Sequence, residues 1–81
     1  MMMMKEEEIK EHLISENPEF RRLCEEHRKY EGKLNELLNR HHMTEQDRLE
    51  EIQLKKKKLH LKDQMNSMIS RFRNELSHQH S

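Results

Sequence analysis

Glycine and proline, the residues that most often mark turns, occur only once each in this 81-residue chain. A β fold needs many turns, so their scarcity argues against strands. Glutamate, lysine, arginine, leucine and methionine are abundant, and all five favour helix. We therefore predict an all-α fold.

Cysteine is equally scarce, since Cys24 is the only one, and a single cysteine excludes an intramolecular disulfide. Hydrophobic residues make up 31% of the chain and charged residues 40%. At this length, that leaves too little apolar surface for a large core or an enzyme-sized pocket. Small chains are usually stabilised by disulfides, a metal or association with another chain. We therefore expect a metal or an oligomer.

The chain has no net charge, because 16 basic and 16 acidic residues balance. It therefore lacks the long-range field expected of a protein that binds nucleic acid or an anionic membrane. No apolar run approaches the roughly 20 residues that span a bilayer, and the N-terminus does not look like a signal peptide. We expect a cytoplasmic protein that does not bind membranes.

Helical periodicity divides the chain into segments. Residues 1–17 contain a tail and a short amphipathic helix, marked by Ile9 and Leu13. Pro18 disfavours helical geometry in the residue before it, so the chain should bend there, with Asn17 as N-cap of the next helix. The apolar seam of that helix has alternating spacings of three and four: Phe20, Leu23, His27, Tyr30, Leu34 and Leu37. This heptad spacing is typical of coiled-coil packing.

Residues 41–44 form a polar, turn-like stretch after this seam. Thr44 and Asp47 resemble a capping box, with Asp in place of the usual Glu or Gln. They predict a second helix from about Glu45 to Leu76. Its seam is expected to comprise Leu54, Leu61, Met65, Met68 and Phe72.

A chain that folds back at this turn brings residues together whose numbers add up to about 85, such as Leu23 and Leu61. We therefore predict an antiparallel, coiled-coil-like helical hairpin over residues 18–76, preceded by the short N-terminal helix. Residues 77–81 are expected to form a disordered tail.

The second helix has a further apolar stripe, Leu49, Ile52 and Leu59, on roughly the opposite side from its seam. We call these three residues the outer stripe. One interpretation is that they are partly exposed residues of a wide stripe. We prefer the other, that they contact a second copy or another helical protein, because exposed apolar patches tend to mark interfaces.

Two segments resemble the YdcH-like family of small bacterial proteins. Residues Asn17 to His27 are similar to its NPxFxxLxxEH opening, and Lys56 to Met65 are similar to its KKxKLxLKDE signature. A similar Met43-Thr44 turn joins them, and the resemblance covers roughly residues 9–70. Tyr30-Glu31 and Gln64 depart from the family pattern of Leu-Asp and Glu. The resemblance implies a cytoplasmic helical hairpin or coiled coil with no established enzymatic activity.

Histidine is frequent, and Cys24 and His27 share a helical side as zinc ligands could. No second pair follows at a finger-like spacing, so we predict neither a metal site nor a cofactor. His27 lies in the seam, where a polar residue can select register. Its predicted neighbour is Lys58, so protonation of His27 would bring two positive charges together unless Glu26 or another acid intervenes. A hairpin that responds to pH is therefore a hypothesis.

The basic residues Lys55, Lys56, Lys57, Lys58 and Lys62 could bind a phosphate backbone. Successive lysines wrap around a helix, and the aromatic residues that could stack on bases fall on predicted buried stripes. An RNA- or ribosome-associated factor is therefore the alternative function. No nucleophile with a base and an orienting partner is recognisable, so we predict no catalytic residues and no small-molecule substrate. We predict a self-associating protein–protein interaction module, an adaptor or scaffold.

Overall fold

A computed structural model describes residues 5–79 and contains three helices. They are α1 (Glu6–Glu16), α2 (Pro18–Leu38) and α3 (Glu45–Gln79). Helices make up 89% of the described residues, and those residues include no strand. The predicted all-α fold is confirmed. Each helix packs against the other two, and the 35-residue α3 is about 52 Å long, which accounts for most of the 56 Å long dimension.

The junction of α1 and α2 lies at the predicted break. Asn17 has an extended backbone (φ −119°, ψ 107°), and its Oδ1 accepts the Phe20 N–H at 3.1 Å, which caps α2. Arg21 caps the other helix, because its guanidinium donates to the Ile14 and Ser15 carbonyls at 2.9 and 3.1 Å. One turn of α2 therefore satisfies backbone groups of both helices.

The predicted capping box begins α3. The Thr44 Oγ1 accepts the Asp47 N–H, and the Asp47 Oδ2 accepts the Thr44 N–H, both at 3.0 Å. Arg40, in the turn, donates to the Asp47 Oδ1 at 2.9 Å. Asp47 is only 9% exposed, and these bonds satisfy its carboxylate. The turn is thus tied to the first turn of α3.

Two apolar clusters hold the helices together. Near the turn, Leu54 of α3 packs with Leu34 and Leu37 of α2, and Tyr30 and Met43 border them. The cluster at the far end joins all three helices: Ile9, Leu13, Phe20 and Ile69, bordered by Cys24, Met65, Met68 and Phe72. Leu23 and Leu61, between the clusters along their helices, are also buried. This packing is consistent with the predicted hairpin.

The seam of α3 differs from the prediction at one position. Ile69, which the predicted seam omits, is 4% exposed and belongs to the far cluster, whereas Met65, Met68 and Phe72 are only partly buried. A straight α-helix drifts about 20° per heptad relative to a strict seven-residue repeat. In addition, α1 covers part of α3 here, which widens its buried face.

The C-terminal boundary also differs. Residues 77–79 are helical, so α3 extends three residues into the tail predicted for 77–81. Neither Gly nor Pro follows Leu76, and without such a stop signal the backbone bonds of α3 continue. The remaining tail residues, 80 and 81, and residues 1–4 at the other end lie outside the described part of the chain. Within the described part, no helix is long and apolar enough to cross a membrane.

Candidate partner-binding surface

The two apolar faces of α3 have opposite environments. Leu54, Leu61 and Ile69 face α1 and α2 and are 7%, 6% and 4% exposed. The outer stripe is 62% exposed at Leu49, 51% at Ile52 and 60% at Leu59. The three helices therefore leave the outer stripe uncovered.

The spacing of the outer stripe suits contact with another helix. Ile52 follows Leu49 by three residues, Lys56 follows Ile52 by four, and Leu59 follows Lys56 by three. This three-four-three spacing is that of the a and d positions of a coiled coil. The stripe spans about 15 Å along the axis, so it presents three turns of helix to a partner.

Basic side chains border the outer stripe on one side. Arg48, Lys55 and Lys62 are seven residues apart and exposed, so they lie in one row along the helix; we call them the basic row. The opposite border contains no acid at the equivalent positions Gln46, Gln53 and His60. Lys55 also contacts Glu51, one turn earlier, at 2.7 Å.

The lysine run itself is divided among several directions. Lys57 Nζ lies 5.5 Å from the centroid of the Tyr30 ring, a cation–π distance. Lys58 Nζ lies 3.7 Å from the Glu31 Oε1. Lys56 points outward within the outer stripe, and Lys55 and Lys62 belong to the basic row. The five lysines therefore do not form one phosphate-binding face.

His27 is partly buried in the seam, as the predicted pairing requires, but it does not face Lys58 alone. Its Nδ1 lies 3.9 Å from the Glu31 Oε2, and Glu31 also pairs with Lys58. An acid thus intervenes between the two. The Nε2 atom is buried and has no hydrogen-bond partner among the described residues.

Cys24 borders the far apolar cluster. Burial raises the pKa of its thiol, against the smaller lowering effects of Lys10 and Arg28. The thiol therefore stays protonated at neutral pH, which suits a small packing residue. Among the side chains described, those of residues 5–77, no three histidine, cysteine or acidic groups come together as metal ligands would.

Two features of this surface escaped the sequence analysis. The basic row can be recognised in the sequence by its seven-residue spacing, but only after the outer stripe has been interpreted as a helical seam. Glu31 lies one helical turn from His27, the residue that the pairing sets opposite Lys58. Pairing by residue number alone ignores the reach of long side chains, so Glu31 was missed.

A family described as "Protein of unknown function (DUF465)" has a model that matches residues 20–69. The match covers most of α2, the turn and α3 through Ile69, including the outer stripe. No curated protein and no solved structure matches the chain. YdcH-like proteins belong to the same family, so the resemblance seen in the sequence is confirmed. The match covers more than half of the chain, and the protein is thus a member of the DUF465 family of small proteins of unknown function.

Proposed function

We propose that this protein is a small helical protein–protein interaction module, an adaptor or scaffold, that binds another helix through the outer stripe. The observation that carries the proposal is the exposure of Leu49, Ile52 and Leu59, each more than half exposed, at coiled-coil spacing. These side chains are already close to half buried, so completing their burial stabilises a complex by roughly half of the 1.5–3 kcal/mol that applies to a fully exposed side chain. The three together offer a partner helix apolar contact along about three helical turns.

The proposal includes an antiparallel hairpin as the platform and a cytoplasmic location. The two apolar clusters support the hairpin, since Leu34 near the end of α2 and Leu54 near the start of α3 share one cluster. Phe20 and Ile69, from the other ends of the same helices, share the second. In such a platform α2 and α1 cover one side of α3, and the other side is free for a partner. No intrinsic catalysis forms part of the proposal.

An exposed apolar stripe could by itself receive either of two occupants, a second copy or a helix of another protein. Sedimentation velocity at increasing concentration measures self-association, and titration with labelled amphipathic helical peptides measures binding to another helix. We expect at least one of the two activities in the wild-type chain. The triple variant Leu49→Gln, Ile52→Gln, Leu59→Gln should lose it and, at a protein concentration too low for association, keep the wild-type melting temperature, because these side chains contribute little to the fold.

A matched control replaces exposed apolar residues outside α3. Ile14 and Leu38 are 39% and 48% exposed, so the double variant Ile14→Gln, Leu38→Gln removes the same kind of exposed side chain elsewhere, with about half of the exposed apolar surface that the triple variant removes. It should retain the activity. A wild-type chain that stays monomeric and binds no helix would contradict the proposal, as would equal losses in the two variants.

The alternative, an RNA- or ribosome-associated factor, has less support. Three of the lysines already have partners, because Lys55 contacts Glu51, Lys57 lies over Tyr30 and Lys58 contacts Glu31. Phosphate binding would compete with these contacts. Salt-dependent RNA binding that disappears when Lys55 to Lys58 are changed to Gln would favour the alternative.

A further inference from the structure

The border charges of the outer stripe discriminate between its two possible occupants. The basic row places Arg48, Lys55 and Lys62 along one border, and no acid lies at the equivalent positions of the other. In coiled coils, the charges that flank the apolar seam set the choice of partner and its orientation. A good occupant therefore brings acids to this border.

A second copy fits poorly in either orientation. Antiparallel pairing that sets Leu49 opposite Leu59 brings the two basic rows together, with Lys55 facing its counterpart. Parallel pairing aligns the stripes residue by residue and sets Lys56 against Lys56 in the middle of the interface. Like charges placed together across an interface disfavour the complex.

We propose that the outer stripe binds an acidic amphipathic helix of another protein. This inference rests on the proposed function and specifies its partner. The apolar residues of the partner pack on Leu49, Ile52 and Leu59, and its flanking Glu or Asp residues face the basic row. Lys56, within the stripe, attracts a further acid and thereby fixes the register.

The contribution of each basic residue to the attraction of an acidic partner differs with its surroundings. Lys55 already contacts Glu51 at 2.7 Å, so part of its charge is compensated within the chain. Arg48, Lys56 and Lys62 therefore supply most of the attraction. Because all four side chains are exposed, the attraction is screened by salt, and this gives the proposal a measurable signature.

Two labelled peptides of about three heptads each test the proposal with the full chain. Both have leucine at the a and d positions; one has glutamate at the flanking positions and the other lysine. Fluorescence anisotropy gives their dissociation constants at about 50 mM and 500 mM salt. We expect the glutamate peptide to bind at least tenfold more tightly at low salt, with the ratio decreasing at high salt.

The variant Arg48→Gln, Lys55→Gln, Lys62→Gln should bring the ratio of the two affinities close to one. A matched control, Arg22→Gln, Arg28→Gln, Lys29→Gln, removes the same number of positive charges from exposed positions of α2 and should keep most of the ratio. The control separates local complementarity from a general effect of net charge.

Equal affinities for the two peptides would overturn the proposal that the partner is acidic. Binding of neither peptide, together with self-association that Leu59→Gln abolishes, would also overturn it, because the occupant is then a second copy; the interaction module itself would still stand. A chain that neither self-associates nor binds a peptide would contradict both the partner and the module.

Discussion

The inner and outer faces of α3 both contain leucine and isoleucine, and these side chains differ sharply in exposure. Leu61 is 6% exposed, and Leu59, two residues earlier on the same helix, is 60% exposed. Hydrophobicity cannot explain the difference. The inner face has α1 and α2 against it, whereas the three helices provide nothing to cover the outer one. In this protein, neighbouring helices determine burial, so the inner face stabilises the fold and the outer face is available for association.

The largest expected effect compares these two leucines directly. Leu61→Ala removes a buried side chain and leaves a cavity, so it should lower the free energy of unfolding by about 2–5 kcal/mol. Leu59→Ala removes an exposed side chain and should change it by less than about 0.5 kcal/mol. Urea unfolding followed by circular dichroism, at the lowest usable protein concentration, measures both.

One result would contradict the comparison. Similar losses in the two variants would mean that Leu59 is covered within the folded chain. If Leu61→Ala does not fold, Leu61→Met provides the measurement, because a swap of similar volume usually costs less than about 1.5 kcal/mol. That variant should remain folded and still be less stable than Leu59→Ala.

Much of the inner face could be predicted from sequence because local rules govern it. Asn17 and Pro18 mark one boundary and Thr44 with Asp47 another, since caps act within a single helical turn. The heptad spacing also identified Leu54 and Leu61. Ile69 could not be found in this way, because α1 contributes to its burial. The position of α1 depends on the whole fold.

The outer stripe was found as a pattern, but its role could not be predicted in the same way. Spacing alone is compatible with a wide seam, and only the positions of α1 and α2 show that Leu49, Ile52 and Leu59 stay exposed. Likewise, the contact of Glu31 in α2 with Lys58 in α3 depends on the reach of two long side chains between helices. Contacts between side chains of different helices need the assembled fold, whereas a cap forms within a single helical turn.

A smaller effect on stability is expected at the turn between α2 and α3. This turn aligns the two helices and thereby determines which face of α3 is covered. The pKa of Asp47 lies below its ordinary value of 3.8, chiefly because its carboxylate accepts the backbone N–H of Thr44. The unfolded chain therefore binds this proton at a higher pH than the folded chain. The resulting stabilisation is present above about pH 3.8 and is lost as the pH falls through the folded-state pKa.

Asp47→Asn removes this titrating group, so the variant should lose less stability than wild type between pH 5 and pH 3. Thermal melts at half-unit pH steps measure the difference. Glu50→Gln removes an exposed acid from the same helix and should keep the wild-type pH response. If the melting temperatures of wild type and Asp47→Asn changed in parallel with pH, the capping carboxylate would not stabilise the turn that aligns the helices.

The smallest expected effect extends the comparison to α2. Gly32 is helical and exposed, and a Cβ added there meets no atom within 4 Å. Gly32→Ala should therefore raise the free energy of unfolding by about 0.5–1 kcal/mol, since alanine restricts the unfolded chain and glycine does not. Urea unfolding at two protein concentrations checks this. A loss of stability that appears only at the higher concentration would mean that a second copy approaches α2 closely at Gly32, and the free surface would then not be confined to the outer stripe of α3.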